Sequence, residues 1–141
     1  MIIFTSNQFN EIVKYSGKSL PNEACGLLGG IIDDSSNNKI IKKVYLLENI
    51  DKSPEHFSMD IKEQFQVISN IRKNGWSLIG NFHSHPETPS RPSEEDIRLA
   101  FDPNLSYAIL SLADKNEIVL NSFIIKNSIV SIEQLKILEE K

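Results

Sequence analysis

The sequence contains a single cysteine, Cys25, and lacks any long uninterrupted apolar run. One cysteine excludes a disulfide within the chain and fits a reducing compartment. A membrane span needs about 18 apolar residues in succession, so no membrane association is expected. The beginning of the sequence has no basic stretch ahead of an apolar one, so no signal peptide is expected either. These absences predict a cytoplasmic protein.

Basic residues are also fewer than acidic residues. The 15 lysines and arginines stand against 19 acidic residues, which gives a net charge of −4. Proteins that bind nucleic acids use clustered lysine and arginine to neutralise phosphates, and no basic stripe is present, so no nucleic-acid partner is expected. The remaining composition, 40% hydrophobic and 24% charged over 141 residues, is typical of a globular chain. It predicts one domain spanning residues 1–141.

Apolar periodicity predicts helices and strands in alternation. Strands are expected at 2–4, 25–32, 39–47, 57–59, 76–83, 107–112, 117–125 and 129–132. Helices are expected to begin at Thr5 or Ser6, at Asp60 and at Ser93, with a fourth over 133–141. The helix that begins at Ser93 is expected to carry Ile97, Leu99 and Ala100. In the second helix, the expected buried stripe is Ile61, Phe65, Ile68 and Ile71. The fold class is therefore predicted to be α/β, with all elements in one piece.

His83 and His85 stand two residues apart at the end of a predicted strand. Side chains of a strand alternate between its faces, so both imidazoles project from the same face. Together they form half of a metal site, and Asp96 is close enough in sequence to be a third ligand. An alternative is that Asp96 completes a capping box that begins at Ser93. The residues alone support a metal site and a structural role equally.

Three further residues are candidates for the same site. Glu23 precedes a glycine-bounded apolar strand, where a carboxylate serves no packing purpose and could move a proton for a zinc-bound water. Alternatively, Glu23 is a solvent-exposed loop residue with no role in the site. Asn81 shares the face of the histidines and could hydrogen-bond to a metal ligand without touching the metal itself. Cys25 could be a nucleophile or a thiolate ligand, although a buried free cysteine more often packs as a small hydrophobe.

Two stretches resemble the JAMM/MPN+ metallopeptidases, in particular their small prokaryotic members that consist of one domain. The first is Pro21-Asn22-Glu23-Ala24-Cys25-Gly26-Leu27-Leu28-Gly29. The second is His83-Ser84-His85-Pro86, followed after six residues by Ser93 and after two more by Asp96. The sequence matches the motif of this family at every position, and the resemblance extends over most of the chain. It implies a curved mixed β-sheet flanked by helices, with an architecture like that of cytidine deaminases.

The resemblance also implies roles for individual residues. His83, His85 and Asp96 are expected to bind one Zn²⁺ per chain, with water in the fourth position. Glu23 is expected to act as general base on that water and then as general acid to the leaving amine. Ser93 is expected to hydrogen-bond the developing oxyanion. Ser84 is expected to shape the site without touching the metal.

The implied substrate is a ubiquitin-fold protein, cleaved after its C-terminal Gly-Gly. It could be a sulfur carrier with an added cysteine or a modifier attached to lysine, and the sequence does not choose between them. Two other functions stay open: a scaffold of the MPN type that only binds partners, and a zinc hydrolase of a small-molecule amide. The oligomeric state is also open, with a homodimer among the options, as is any movement of the loop 86–92.

Overall fold

A computed structural model describes residues 1–140 of the chain. The strands are β1 (Ile2–Thr5), β2 (Cys25–Ile32), β3 (Lys39–Leu47), β4 (Ser77–His85), β5 (Ser106–Ser111), β6 (Val119–Lys126), β7 (Ile129–Glu133) and β8 (Leu135–Leu138). The helices are α1 (Ser6–Ser19), α2 (Ile61–Lys73) and α3 (Glu94–Arg98). All these strands form a single sheet in the order β7-β6-β5-β4-β2-β3-β1-β8. The predicted α/β class with a mixed sheet is confirmed.

Strand β4 lies near the middle of the sheet and carries the two histidines. It pairs antiparallel with β2, which sets Cys25 opposite His83. On its other side it pairs in parallel with β5, which sets His83 opposite Ile109 and His85 opposite Ser111. Pairing on both sides fixes the backbone of β4, so the two imidazoles project from a rigid position.

Glycine at two positions permits this central pairing. A Cβ atom at Gly80 of β4 would overlap the carbonyl of Ser106 on β5. A Cβ atom at Gly26 of β2 would overlap the carbonyl of Tyr45 and the ring of Phe82. Glycine is therefore required at both positions for close approach of neighbouring backbones.

Both long helices begin as predicted. Thr5 caps α1, with its hydroxyl accepting from the Gln8 N–H at 3.1 Å, and the Gln8 side chain accepts from the Thr5 N–H at 3.0 Å. Asp60 caps α2 by accepting from the Glu63 N–H at 3.0 Å. Gly75, with a φ of 74°, follows the end of α2. These contacts are local in sequence, which is why the cap residues alone predict them.

The main core lies between the sheet and α1. Its fully or nearly fully buried members are Ile2, Phe4, Ile12, Leu28, Ile41, Val44, Ile79, Phe82, Ala108, Leu110 and Leu120. The predicted buried stripe of α2 is wrong in its first half, because Ile61 and Phe65 are 69% and 68% exposed. The helix instead packs through Ile71, with Val67 and Ile68 beside it. The apolar residues of α2 are spread widely around the helix, and only those in its C-terminal half pack against the sheet.

Three other predictions about elements are wrong. Residues 57–59 do not form a strand, because the Asn49 side chain satisfies backbone groups there: its Oδ1 accepts from the Ser58 N–H at 3.2 Å and its Nδ2 donates to the His56 carbonyl at 3.1 Å. The helix begun at Ser93 ends at Arg98 and leaves Leu99 outside. The predicted final helix is the strand β8, while Lys141 lies outside the described residues.

Strand β8 forms because β1 offers it a partner distant in sequence. The two pair in parallel, with Ile2 opposite Leu135 and Thr5 opposite Leu138. The predicted edge strand at 129–132 is confirmed as β7. Within residues 1–140, no helix has both the length and the apolar character to cross a membrane.

Candidate metal centre and catalytic site

The histidine pair lies at the C-terminal end of β4, and both rings are buried. The Nε2 atoms of His83 and His85 are 3.1 Å apart. Asp96, in the first turn of α3, places its Oδ2 3.1 Å from each of these nitrogens. The ligand atoms of the three residues all lie within 4.8 Å of one another, and no other group of His, Cys, Asp and Glu within residues 1–140 converges in this way.

Asp96 takes part in the cluster and in the helix cap at once. Its Oδ2 also accepts from the Ser93 N–H at 2.9 Å, and the Ser93 hydroxyl accepts from the Asp96 N–H at 3.0 Å. The two interpretations of this motif are therefore compatible. The capping box holds the carboxylate in the orientation in which it faces both histidines.

Electrostatics keep this carboxylate ionised. Burial would raise the pKa of Asp96, but hydrogen bonds with His83 and His85 hold that pKa well below its usual range. Burial would likewise lower the pKa of His85, whereas its hydrogen bonds with Asp96 and the Pro89 carbonyl raise it. An anionic oxygen faces two imidazoles, which is the charge arrangement that a cation would stabilise.

The two histidines are oriented by different means. Nδ1 of His85 lies 2.9 Å from the carbonyl oxygen of Pro89, which can only accept, so Nδ1 carries the proton. With its proton held on Nδ1, the ring would bind a metal through Nε2, the nitrogen that faces Asp96. Nδ1 of His83 is buried without a hydrogen-bond partner among the described residues. Its ring stacks instead on Phe57, with centroids 4.7 Å apart and planes 26° apart.

These donors fit a divalent transition metal. Two imidazole nitrogens and one carboxylate oxygen converge from a strand end and a helix start that are both held in place. Three protein ligands of this kind, with one position left for water, form the usual set of catalytic zinc. Residues His83, His85 and Asp96 could therefore hold Zn²⁺.

Glu23 lies beside this cluster and is 3% exposed. Its backbone is anchored by a bond from its N–H to the Ser53 carbonyl at 2.8 Å and by the Asn49 amide, which donates to its carbonyl at 3.0 Å. Its Oε1 has no hydrogen-bond partner in residues 1–140. Burial raises the pKa of Glu23 to about 8; His85 opposes this rise and Asp96 adds to it. A buried carboxyl with a free oxygen is suited to proton transfer.

The remaining candidates occupy distinct places around the cluster. Ser93 lines the same cleft as Glu23 and His85. Ser84 is buried, and its hydroxyl accepts from the Ala24 N–H at 2.8 Å, which ties β4 to the residue after Glu23. Asn81 lies on the histidine face, but its buried Oδ1 has no hydrogen-bond partner among the described residues.

Cys25 stands apart from this chemistry. Its thiol is buried, and Sγ lies 3.8 Å from the Leu47 carbonyl. Burial raises the pKa of Cys25 to about 12, so the thiol stays protonated near neutral pH. It packs as a small hydrophobe, the more common of the alternatives that the sequence offers.

Two contributions to the site have no clear signal in the sequence. Phe57 stacks on His83. The second is an apolar cleft whose outer wall is Leu99 and Phe101, beyond the end of α3. The motif positions predict the polar groups of the site, whereas these apolar contacts depend on how distant segments meet.

A mixed sheet that presents two histidines and an aspartate beside a buried glutamate is typical of metal-dependent hydrolases. The chain belongs to the prokaryotic homologs of the JAB domain, whose family model matches residues 5–124. The resemblance to the JAMM/MPN+ family is thereby confirmed.

Individual relatives agree with this membership. The chain is similar to the CysO-cysteine peptidase of Mycobacterium tuberculosis, at 26% identity over 140 residues, 99% of this chain and 93% of the relative. It is similar to the desampylase of Haloferax volcanii, at 29% identity over 92 residues, 64% of this chain and 63% of the relative. The solution structure of a Desulfitobacterium hafniense protein superposes with a TM-score of 0.90 at 52% identity, covering 99% of this chain and 94% of that one.

Proposed function

We propose that the protein hydrolyses the amide bond after the C-terminal Gly-Gly of a ubiquitin-fold protein, either a sulfur carrier or a ubiquitin-like modifier. His83, His85 and Asp96 hold one Zn²⁺ in this proposal. The observation that carries it is the convergence of three ligand atoms within 4.8 Å, next to the buried Glu23 carboxyl with its free oxygen. Family membership and the relatives named CysO-cysteine peptidase and desampylase support peptidase chemistry.

When bound, Zn²⁺ supplies Lewis acidity and lowers the pKa of a water molecule in its open position. Glu23 accepts the proton that the attacking water loses and passes it to the leaving nitrogen as the C–N bond breaks. The products are a glycine carboxylate and a free amine. No covalent intermediate with the protein is needed.

In this proposal, Ser93 stabilises the negative charge that develops on the carbonyl oxygen. Its Oγ accepts a hydrogen bond from the Asp96 N–H, so its own O–H remains available to donate. A hydrogen bond of this kind, to a charge that grows in the transition state, typically contributes about 3–4 kcal/mol. The capping box thus leaves Ser93 free for this second role.

The experiment that tests this function is a cleavage panel of the host's own Gly-Gly-tailed proteins. Each is fused at its C-terminus to a cysteine or joined to a lysine through an isopeptide bond, and zinc content is measured in the same enzyme sample. We expect cleavage after Gly-Gly that is lost on chelation and restored by zinc. No cleavage of any member by enzyme with stoichiometric zinc would overturn the proposal.

The panel also separates the other functions. A free glycyl amide, cleaved as efficiently as the fusions, would indicate a small-molecule amidase. A protein that binds a Gly-Gly-tailed partner and retains zinc, yet cleaves nothing, would indicate a scaffold. The ligand set favours the enzyme, because three converging residues leave a position open for the water that a hydrolase uses, whereas structural zinc sites are closed by four protein ligands.

A further inference from the structure

Two clefts of different chemistry meet at the His83–His85–Asp96 cluster. The acidic cleft, of about 660 Å³, is lined by Glu23, Glu55, His85, Ser93, Glu94 and Glu95, together with Arg98. The apolar cleft, of about 350 Å³, adjoins His83 and Asp96 on the other side. A substrate that crosses the metal centre therefore meets different surroundings on the two sides of its scissile bond.

The walls of the apolar cleft come from three parts of the chain. Phe57 and Met59 belong to the segment before α2, and Tyr107 and Ile109 rise from β5 of the sheet. The outer rim consists of Leu99 and Phe101, directly after α3. Apart from His83 and Asp96 of the cluster itself, no His, Lys, Arg, Asp or Glu lines this cleft. Most of its remaining lining is apolar or aromatic, so the ligand chemistry that fits it is an apolar side chain.

The rim is exposed, and the segment that follows it is tied to the sheet. Phe101 is 83% exposed and Leu99 is 49% exposed. The Tyr107 hydroxyl donates to the Asp102 carbonyl at 3.1 Å, which ties the segment that follows the rim to the sheet. Leu99 and Phe101 together add exposed apolar surface to the apolar lining of the cleft, and contiguous apolar surface of this kind commonly marks a contact with another molecule.

The position of Glu23 determines which half of the substrate enters which cleft. Glu23 lines the acidic cleft and not the apolar one. In the proposed reaction it delivers a proton to the leaving nitrogen, which must therefore lie on its side. The acyl half of the substrate, which ends in the scissile carbonyl, then extends in the opposite direction, past His83 and Asp96.

We propose that the apolar cleft binds the C-terminal segment of the ubiquitin-fold substrate on the acyl side of the cut. Glycine has no side chain to fill a cleft, so the apolar side chain that enters it precedes the Gly-Gly, and Phe101 and Leu99 contact that segment where it joins the folded body. This inference rests on the proposed function and deepens it. It assigns the recognition of the ubiquitin-fold substrate to residues outside the metal motif.

The test compares Phe101→Ala with Phe65→Ala. Phe65 is a phenylalanine of similar exposure, 68%, that lies on α2 outside both clefts. For the Gly-Gly-tailed protein that the panel identifies, we expect Phe101→Ala to raise KM on the order of tenfold with a much smaller change in kcat, as for an interface contact at the centre of recognition. Phe65→Ala should behave as wild type.

Direct binding gives a second readout that does not depend on turnover. Calorimetric titration with the cleavage product, which ends in a free Gly-Gly carboxylate, should show a similar loss of affinity in Phe101→Ala and a smaller loss in Leu99→Ala. If wild type cleaves the protein and Phe101→Ala equals Phe65→Ala in both KM and product affinity, the inference is overturned and the proposed function stands. If wild type with bound zinc cleaves nothing, the proposed function fails and the inference fails with it.

Discussion

Asp96 shows how a short motif can specify two functions in one residue. One carboxylate oxygen faces both imidazoles at 3.1 Å and accepts from the Ser93 backbone at 2.9 Å. These groups are close in sequence and belong to a strand end and the helix start that follows it. Their approach could therefore be predicted from spacing and capping chemistry. Glu23 is different. Its place before a glycine-bounded strand made it a candidate, but nothing in its spacing to His83 indicates proximity, and the family resemblance decided between this role and a solvated loop residue.

The proposed role of Glu23 gives a prediction at the scale of one side chain. Glu23→Gln retains the size and polarity of the residue but cannot take up a proton, so kcat should fall by about 10²–10⁴-fold while bound zinc is unchanged. The measurement is turnover of the Gly-Gly-tailed substrate together with zinc content by mass spectrometry. Glu55→Gln, an exposed carboxyl in the same cleft, is the matched control and should keep near-wild-type kcat.

Loss of zinc from Glu23→Gln would assign Glu23 to the metal ligands and contradict the proton-transfer role. Equal kcat in the Glu23 and Glu55 variants would contradict it as well. The distinction is sharp because Glu23 is buried with an unpartnered oxygen, whereas Glu55 lies in solvent.

At the scale of elements, the sequence correctly predicted the helix starts and strands that depend on residues close together in the chain. The cap residues Thr5 and Asp60 located the starts of α1 and α2, and the apolar runs at 25–32 and 39–47 located β2 and β3. The prediction failed where long-range contacts decide the outcome. The segment at 135–138 forms a strand because β1 has a free side to pair with, and the first half of α2 is exposed because the sheet does not reach it.

The packing of α2 leads to a prediction that separates its two faces. Ile71 is 1% exposed and packs with Leu27, Tyr45 and Leu47, so Ile71→Ala leaves a cavity and should lower the free energy of unfolding by about 2–5 kcal/mol. Phe65→Ala, on the solvent side, should change it by less than about 0.5 kcal/mol. Urea unfolding followed by circular dichroism measures both. Comparable losses would mean that the apolar stripe expected from the sequence is the packed face after all.

At the scale of the whole molecule, the last two strands connect the opposite ends of the sheet. β7 is first in the strand order and β8 is last, and a single residue, Gln134, separates them in the chain. A flat sheet could not accommodate this, so the sheet must curve until its two edges approach each other.

A buried polar group holds this closure together. Glu133, the last residue of β7, forms an ion pair with Lys39 of β3 at 2.8 Å. The same carboxylate accepts hydrogen bonds from the hydroxyl groups of Ser106 at 2.7 Å and Ser122 at 2.8 Å. Four strands are joined at one side chain, and each partner is satisfied, as a buried charge requires.

This network predicts how stability depends on pH. Burial would raise the pKa of Glu133, but the hydrogen bonds from Lys39, Ser106 and Ser122 lower it below the ordinary value of 4.5. A carboxyl whose pKa is lower in the folded than in the unfolded state contributes stability above its unfolded pKa. That contribution declines as the pH falls below about 4.5, towards the folded pKa.

Glu133→Gln removes this titration. Comparing urea unfolding at pH 7 and pH 4, we expect wild type to lose more stability on acidification than Glu133→Gln does. Because other carboxyl groups titrate in both proteins, the difference between the two losses is the informative quantity. Identical losses in the two proteins would show that Glu133 does not couple the closure of the sheet to pH.

The central claim is that His83, His85 and Asp96 form a metal centre, and native mass spectrometry tests it most directly. The protein is purified without added metal, alongside Asp96→Asn, in which the side-chain oxygen can still cap the Ser93 N–H but carries no charge. We predict one Zn²⁺ per chain in wild type and none in folded Asp96→Asn. Wild type without bound metal, or a variant that retains the full complement, would contradict the account.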